Sequence, residues 1–217
     1  IMLIKEEYGI DININDIPKD DPKVFKMLAE GDTLGTFQIA SQGMTEFVKI
    51  LKPESLNDII AVVALYRPGP MDYGDGMHLE YARRKNGEAP VTFLHENLRE
   101  ILNETYGVIV YQEQIMEIAR KVAGYSLGKA DILRRAMGKK HKDEMDREKA
   151  NFLSGARRNG YSDDIAEDLW EQISTFSRYG FNKSHAASYG LITYQTAWLK
   201  ANFPEELMAA QMQVRSN

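Results

Sequence analysis

A short basic segment is the clearest place in this sequence where side chains could bind an anion. Residues 134–142 read RRAMGKKHK, with five lysines or arginines and no carboxylate. Within it, Arg135, Lys139 and Lys142 fall at spacings of four and seven, so they would share one face of a continuous helix. Like charges at that spacing repel, and a bound polyanion such as a phosphate chain would relieve the repulsion.

The same residues also fit a plainer interpretation. The net charge of the chain is −5, and residues 129–158 carry ten lysines or arginines against five carboxylates. The chain as a whole is therefore not a basic nucleic-acid binder, although its charge is unevenly distributed. Asp131 could pair with Arg134 or Arg135 on a solvated helix face, and the charge pattern alone leaves both interpretations open.

A second candidate is the segment YGFNKSH, residues 179–185, which leads into a long apolar helix. Ser184 is a plausible N-cap, and a helix N-terminus with its partial positive charge suits phosphate. Lys183 and His185 add side-chain donors there, and the ring of Tyr189, one turn later, could pack on a base or sugar. Alternatively, His185 caps locally and Tyr189 belongs to the core.

Arg67 is a third candidate, because it stands in the sequence RPGP, residues 67–70. Two prolines restrict the backbone there and would hold the arginine side chain in a fixed place. The alternative is that this segment only ends the preceding helix.

The sequence does not contain a recognisable complete active site. Its acidic pairs, at Asp20–Asp21, Asp72 with Asp75 and Asp163–Asp164, stand beside Pro, Gly or Ser, which favours helix capping over metal binding. Phosphate-binding loops of the Walker type and GxSxG motifs are absent, and the four histidines lack metal-ligand spacing. We therefore predict no catalytic and no metal-binding residue in this sequence.

Composition indicates a globular protein that does not span a membrane. The hydrophobic fraction is 43% and the longest apolar run has eight residues, against the roughly 20 that a bilayer crossing needs. There is no cysteine, which excludes disulfides and zinc fingers and fits the cytoplasm. Residue 1 is not methionine, and no leader is visible, so we expect the sequence to be a segment of a longer chain.

The pattern of apolar residues predicts a mainly α-helical fold. Asp21 and Pro22 begin one helix as N-cap and first residue. Further helices are predicted over residues 42–51, 55–66, 79–84, 97–102, 114–122, 127–137, 143–158, 163–176 and 184–202. Gly138 is predicted to end the helix over 127–137, Thr33 to Ile39 to be extended, and Val108 to Tyr111 to form a buried strand.

Six long motifs in order resemble the C-family DNA polymerases, specifically the fingers domain of the alpha subunit of bacterial DNA polymerase III. The motifs read GDTLGTFQIASQGM, DIIAVVALYRPGP, ETYGVIVYQEQIM, ADILRRAMGKK, YGFNKSHAASYGLITYQTAWLK and FPEELMAA. The resemblance extends over residues 20–210, nearly the whole chain.

This resemblance implies an irregular multi-helix fingers domain over residues 20–217, incomplete at its C-terminal end, with residues 1–20 as the end of the palm-to-fingers connection. It implies that the full subunit is a DNA-directed DNA polymerase whose Mg²⁺ ions are bound by palm aspartates outside this chain, which alone should be inactive. The implied partners are template–primer DNA, deoxynucleoside triphosphates, the remaining domains of the subunit and the sliding clamp, with no membrane. The implied nucleotide- or DNA-binding residues are Arg134, Arg135, Lys139, Lys140, Lys183, His185, Tyr189 and, at second rank, Arg67.

Two alternatives belong to other functional classes. One is a non-enzymatic helical module that binds a specific DNA sequence, and the other is a structural interaction domain that binds neither nucleotide nor DNA. Departures from the family pattern at Ser177–Arg178 and in the variable stretch over residues 71–78 leave open whether the paralogue is replicative or error-prone.

Overall fold

The computed structural model describes residues 1–72, 74–139, 142–177 and 179–215. Over these ranges the chain is mainly α-helical, as predicted, with two short 3₁₀ turns at Glu96–Leu98 and Asn103–Thr105. The α-helices are α1 (Met2–Tyr8), α2 (Pro22–Ala29), α3 (Gln42–Leu51), α4 (Leu56–Leu65), α5 (Met77–Lys85), α6 (Arg99–Leu102), α7 (Gln112–Ala123), α8 (Leu127–Lys139), α9 (Lys142–Arg158), α10 (Asp163–Ser177), α11 (Lys183–Asn202) and α12 (Pro204–Arg215).

The chain divides into two compact units. Unit 1 is discontinuous in sequence and consists of Ile1–Arg67 and Ser184–Asn217, whereas unit 2 is the continuous stretch Pro68–Lys183 between them. Helix α11 begins at the last residue of unit 2 and continues through unit 1. None of the helices in the described ranges combines the length and apolar character that a bilayer crossing requires.

Unit 1 is built around α4, whose residues from Asp58 to Leu65 are all buried. Such a helix needs partners on every side, and α11 comes very close to it. A methyl group at Gly190 would lie 2.7 Å from Ile60 Cγ1 and 3.1 Å from Ile60 Cα, so only glycine allows this approach. Helix α2 begins as the sequence predicts, with Asp21 accepting a hydrogen bond from the Lys23 amide at 2.9 Å.

Unit 2 is built around α7, which packs against α8, α9 and α10. Its residues Ile115, Ile118 and Val122, predicted to share one face, are all buried. Helix α9 crosses the end of α7 at Gly155, where a methyl group would collide with the backbone carbonyl of Ala123. Each unit thus contains a close helix crossing at which a glycine is required.

The prediction of a strand over Val108 to Tyr111 is wrong. These residues are buried, but within the described ranges they form only one isolated parallel bridge, from Tyr111 to Phe181. The amide groups of Val110 and Tyr111 donate instead to the side-chain Oε1 of Gln114, at 2.9 and 3.0 Å. A side chain from the next helix therefore replaces the neighbouring strand.

Two other local predictions are also wrong. Thr33 to Ile39 is a series of turns, because Gly31, Gly35 and Gln38 have positive φ angles that reverse the chain. Gly138 does not end α8, which continues to Lys139. A glycine inside a helix costs about 1 kcal/mol, which the packing of the surrounding helix can offset.

Candidate functional site

The two arginines of α8 pair with the same carboxylate. Arg134 donates through Nε and Nη2 to Asp131 Oδ1 at 2.9 and 2.7 Å, and Arg135 Nη2 lies 2.5 Å from Asp131 Oδ2. The hydrogen bonds from Arg134, together with those from Arg135, lower the pKa of the Asp131 carboxyl below its ordinary value, against a smaller opposing effect of burial. The predicted pairing on a helix face is therefore confirmed.

This pairing does not remove Arg135 from solvent. Its side chain is 66% exposed, against 35% for Arg134 and 27% for Asp131. A guanidinium carries five N–H donors in a planar fork, more than the one oxygen of Asp131 accepts. One carboxylate also neutralises only one of two positive charges. The outer surface of α8 can therefore still bind an anion through Arg135.

The rest of the basic segment is divided between two helices. Lys139 is the last residue of α8, four positions after Arg135, and its side chain lies outside the described part of the chain, as does all of Lys140. Lys142 begins α9, and its side chain also lies outside the described part of the chain, so the stripe of Arg135, Lys139 and Lys142 on one helix face stays a prediction.

Lys183 pairs with a residue that the sequence analysis did not select. Its Nζ donates to both carboxylate oxygens of Glu104, at 2.8 and 2.7 Å, and lies 5.5 Å from the centre of the Tyr111 ring. The side chains of Lys183 and Glu104 are 43% and 39% exposed. Lys183 is thus held in an ion pair that remains open to water.

The start of α11 is also occupied by a carboxylate. Glu113 accepts hydrogen bonds from the backbone amide of Lys183 at 3.0 Å and from Asn182 Nδ2 at 2.8 Å. A carboxylate at this position complements the positive end of the helix dipole. Because α11 begins at Lys183, the prediction that Ser184 is its N-cap is wrong.

The sequence YQEQ, residues 111–114, positions this segment. Phe181 donates to the Val110 carbonyl, and the Gln112 amide donates back to the Phe181 carbonyl at 2.9 Å. Gln114, which is 97% buried, also donates from Nε2 to Thr105 Oγ1 at 2.8 Å, next to Glu104. The signal for this positioning role was the run of three polar residues, Gln112, Glu113 and Gln114, directly after the buried apolar residues 108–111. The sequence-based predictions did not use this signal.

The remaining candidates lie in unit 1. Arg67 is half-buried, donates from Nε to the Ala64 carbonyl at 2.7 Å, and has its pKa lowered by burial. His185 is exposed, and its ring centre lies 4.3 Å from that of Tyr189. Tyr189 is half-buried against Phe37, with ring centres 5.5 Å apart. The structure therefore brings His185 and Tyr189 together at one surface.

Comparison with known proteins decides the family. Residues 1–160 match the model of the bacterial DNA polymerase III alpha subunit finger domain. The chain belongs to this family. Three relatives are each called DNA polymerase III subunit alpha. The chain is 50% identical to the one from Thermus aquaticus over 98% of its length, 48% identical to the one from Aquifex aeolicus over 99%, and 50% identical to the one from Saccharopolyspora erythraea over 97%. It spans 18% of the length of each of these relatives.

The acidic pairs of this finger domain have structural partners. Asp21 caps α2, Asp72 accepts from the Gly69 amide at 3.0 Å, and Asp163 pairs with Arg157. Over the described ranges, no group of three or more histidines and carboxylates could hold a metal ion.

Proposed function

We propose that this chain is the fingers portion of a replicative DNA polymerase and binds the incoming deoxynucleoside triphosphate and the template–primer during template-directed synthesis. The observation that carries this proposal is its identity of about 50%, over nearly the whole chain, to proteins named DNA polymerase III subunit alpha. The full-length protein would then catalyse nucleotidyl transfer in the bacterial cytoplasm, and this chain alone would not.

Helix α8 is the proposed phosphate-binding element. A triphosphate is strongly anionic and gains charge on its leaving group during transfer, so fixed cations lower the barrier. Arg135 suits this role because its exposed guanidinium can bind two phosphate oxygens at once, which an ammonium group cannot. Arg134, Lys139 and Lys140 would add positive charge for the triphosphate or the template backbone.

The beginning of α11 is the proposed second contact. Lys183 would bind a phosphate oxygen through its ammonium group, and His185 would line the nucleotide pocket. Tyr189, whose ring is half exposed beside His185, would pack against the sugar or base. Arg67, which follows α4, would be a less important residue of the same nucleotide pocket. Base selection would come from pairing with the template rather than from side-chain contacts to base edges.

Nucleotidyl transfer would also need metal ions and domains outside this chain. When bound, two Mg²⁺ ions would supply positive charge that neutralises the triphosphate during transfer. We propose that palm carboxylates outside this chain hold them. The other domains of the subunit and the sliding clamp are the further partners that we propose.

Single substitutions in the full-length protein test this proposal. Arg135→Ala and Lys183→Ala should each lower kcat/KM for nucleotides by about 10- to 100-fold, the loss of one charge-assisted hydrogen bond, while thermal unfolding stays unchanged. Arg120→Ala is the matched control, because Arg120 pairs with Glu117 along α7 as Arg135 pairs along α8. An unchanged kcat/KM in both variants would overturn the proposal, and a footprint on one DNA sequence would favour a regulator instead.

A further inference from the structure

We propose that Glu104 is a specificity-determining residue that competes with phosphate for Lys183 and thereby sets which anions the fingers accept. This inference rests on the proposed function, because it takes Lys183 to be a phosphate contact. It begins from the ion pair itself, in which both oxygens of Glu104 accept from Lys183 Nζ. In the absence of a nucleotide, the carboxylate occupies the donors that a phosphate would need.

The pair is built so that only a side chain has to move. The backbone of Lys183 is held by Glu113, and the preceding Phe181 is held by the parallel bridge to Tyr111. The chain next to Glu104 is held as well, since Thr105 donates to the Val108 carbonyl at 2.6 Å and accepts from Gln114. A rotation of the Lys183 side chain would therefore transfer the ammonium group without rearranging either helix.

Because both side chains are exposed, separating the Lys183–Glu104 ion pair requires little free energy. Lys183 and Glu104 keep 43% and 39% of their side chains accessible, so water solvates both charges when the pair separates. Exposed ion pairs of this kind contribute little to stability. A phosphate with more negative charge than a carboxylate can therefore displace Glu104, whereas a weakly charged anion gains too little.

The surroundings strengthen this discrimination. Lys183 lies at a groove of about 360 Å³ that is lined by four carboxylates and by one other cation, Lys121, which is already paired with Glu100. The four carboxylates are Glu100, Glu104, Glu113 and Glu117. Their combined field opposes any anion that approaches Lys183 alone. An anion therefore binds Lys183 only if its contacts with other cations outweigh this opposing field, as we propose for a triphosphate.

The test measures nucleotide affinity in the full-length protein on a primed template with a dideoxy-terminated primer. Glu104→Gln should tighten the Kd for the correct deoxynucleoside triphosphate by about two- to fivefold, the worth of an exposed pair. It should lower the inhibition constant of pyrophosphate by a larger factor. Glu96→Gln, an exposed glutamate that pairs with Arg99 and does not line this groove, is the control and should leave both constants unchanged.

A double variant separates this inference from the function on which it rests. In a Lys183→Ala background, Glu104→Gln should have no further effect on either constant. If Lys183→Ala weakens nucleotide binding but Glu104→Gln does not tighten it, the competition is wrong and the phosphate-binding role of Lys183 stands. If Lys183→Ala leaves nucleotide affinity unchanged, that role fails and the competition fails with it.

Discussion

Arg135 pairs with Asp131 across one turn of α8 and nevertheless keeps two thirds of its side chain exposed. Arg134, which binds the other oxygen of the same carboxylate through two nitrogens, is only half as exposed. The neighbouring arginines therefore differ in exposure. Asp131 holds Arg134 through two hydrogen bonds, whereas most of the Arg135 side chain remains accessible to solvent.

Binding of DNA should reflect this difference through its salt dependence. If Arg135 contacts a phosphate of the template–primer, Arg135→Ala should reduce the slope of log K against log salt concentration by about one. Fluorescence anisotropy of a labelled primed template at several salt concentrations gives this slope. Arg120→Ala should leave it unchanged, and an equal slope for Arg135→Ala and wild type would assign Arg135 to the nucleotide alone.

The Asp131 carboxyl should titrate below its ordinary range in the folded protein. Arg134→Ala should raise its pKa towards the ordinary 3.8, as measured by NMR titration of the carboxyl carbon. A depressed pKa stabilises the fold above the unfolded value, and this stabilisation is lost as pH falls through the folded pKa. The difference in unfolding free energy between wild type and variant should therefore shrink below about pH 4. A difference independent of pH would show that Arg134 acts through packing.

Two glycines in helices should respond to alanine in opposite directions. Gly155→Ala places a methyl group against the Ala123 carbonyl and should destabilise the protein by about 1–3 kcal/mol, because α9 must move away from α7. Gly128 in α8 has no atom within 4 Å of the corresponding position. Gly128→Ala should therefore stabilise the protein, by up to about 1 kcal/mol. Urea unfolding of both variants measures the two effects, and equal effects would contradict the close helix crossing.

Replacement of Gln114 should destabilise unit 2. Gln114→Leu preserves the volume but leaves the buried amide groups of Val110 and Tyr111 without their acceptor, which should cost about 2–4 kcal/mol. Gln42→Leu, at an exposed position of α3, is the control and should change the unfolding free energy by less than about 0.5 kcal/mol. A similar stability for both variants would mean that other groups satisfy these amides.

Local sequence rules predicted much of the helical architecture. The apolar spacing of Ile115, Ile118 and Val122 identified the buried face of α7, and Asp21 with Pro22 identified the start of α2. These features depend on residues within one or two turns of each other. The segment from Val108 to Tyr111 was misassigned because its hydrogen-bond acceptor is a side chain, which apolar periodicity does not reveal.

In the candidate site, the contacts within one helix were predictable from the sequence, whereas the contacts between distant segments were not. Asp131 pairs with Arg134 and Arg135 along one helix, so their spacing indicated the contact. Glu104 and Glu113 contact Lys183 across separations of 79 and 70 residues. No local pattern in the sequence specifies such pairs, because they depend on how the start of α11 packs against α7.

The discontinuity of unit 1 has a consequence for biosynthesis. The segment Ile1–Arg67 leaves the ribosome before Pro68–Lys183, yet its partners in Ser184–Asn217 leave after that stretch. The Asp21 amide donates to the Tyr194 hydroxyl, and Ile60 packs closely against Gly190. Neither contact can form until Ser184–Asn217 has been synthesised. All of Pro68–Lys183 emerges in between, so that stretch can fold while the apolar α4 still lacks its cover. Growing chains that stall before α11 should therefore be the ones that aggregate or recruit chaperones.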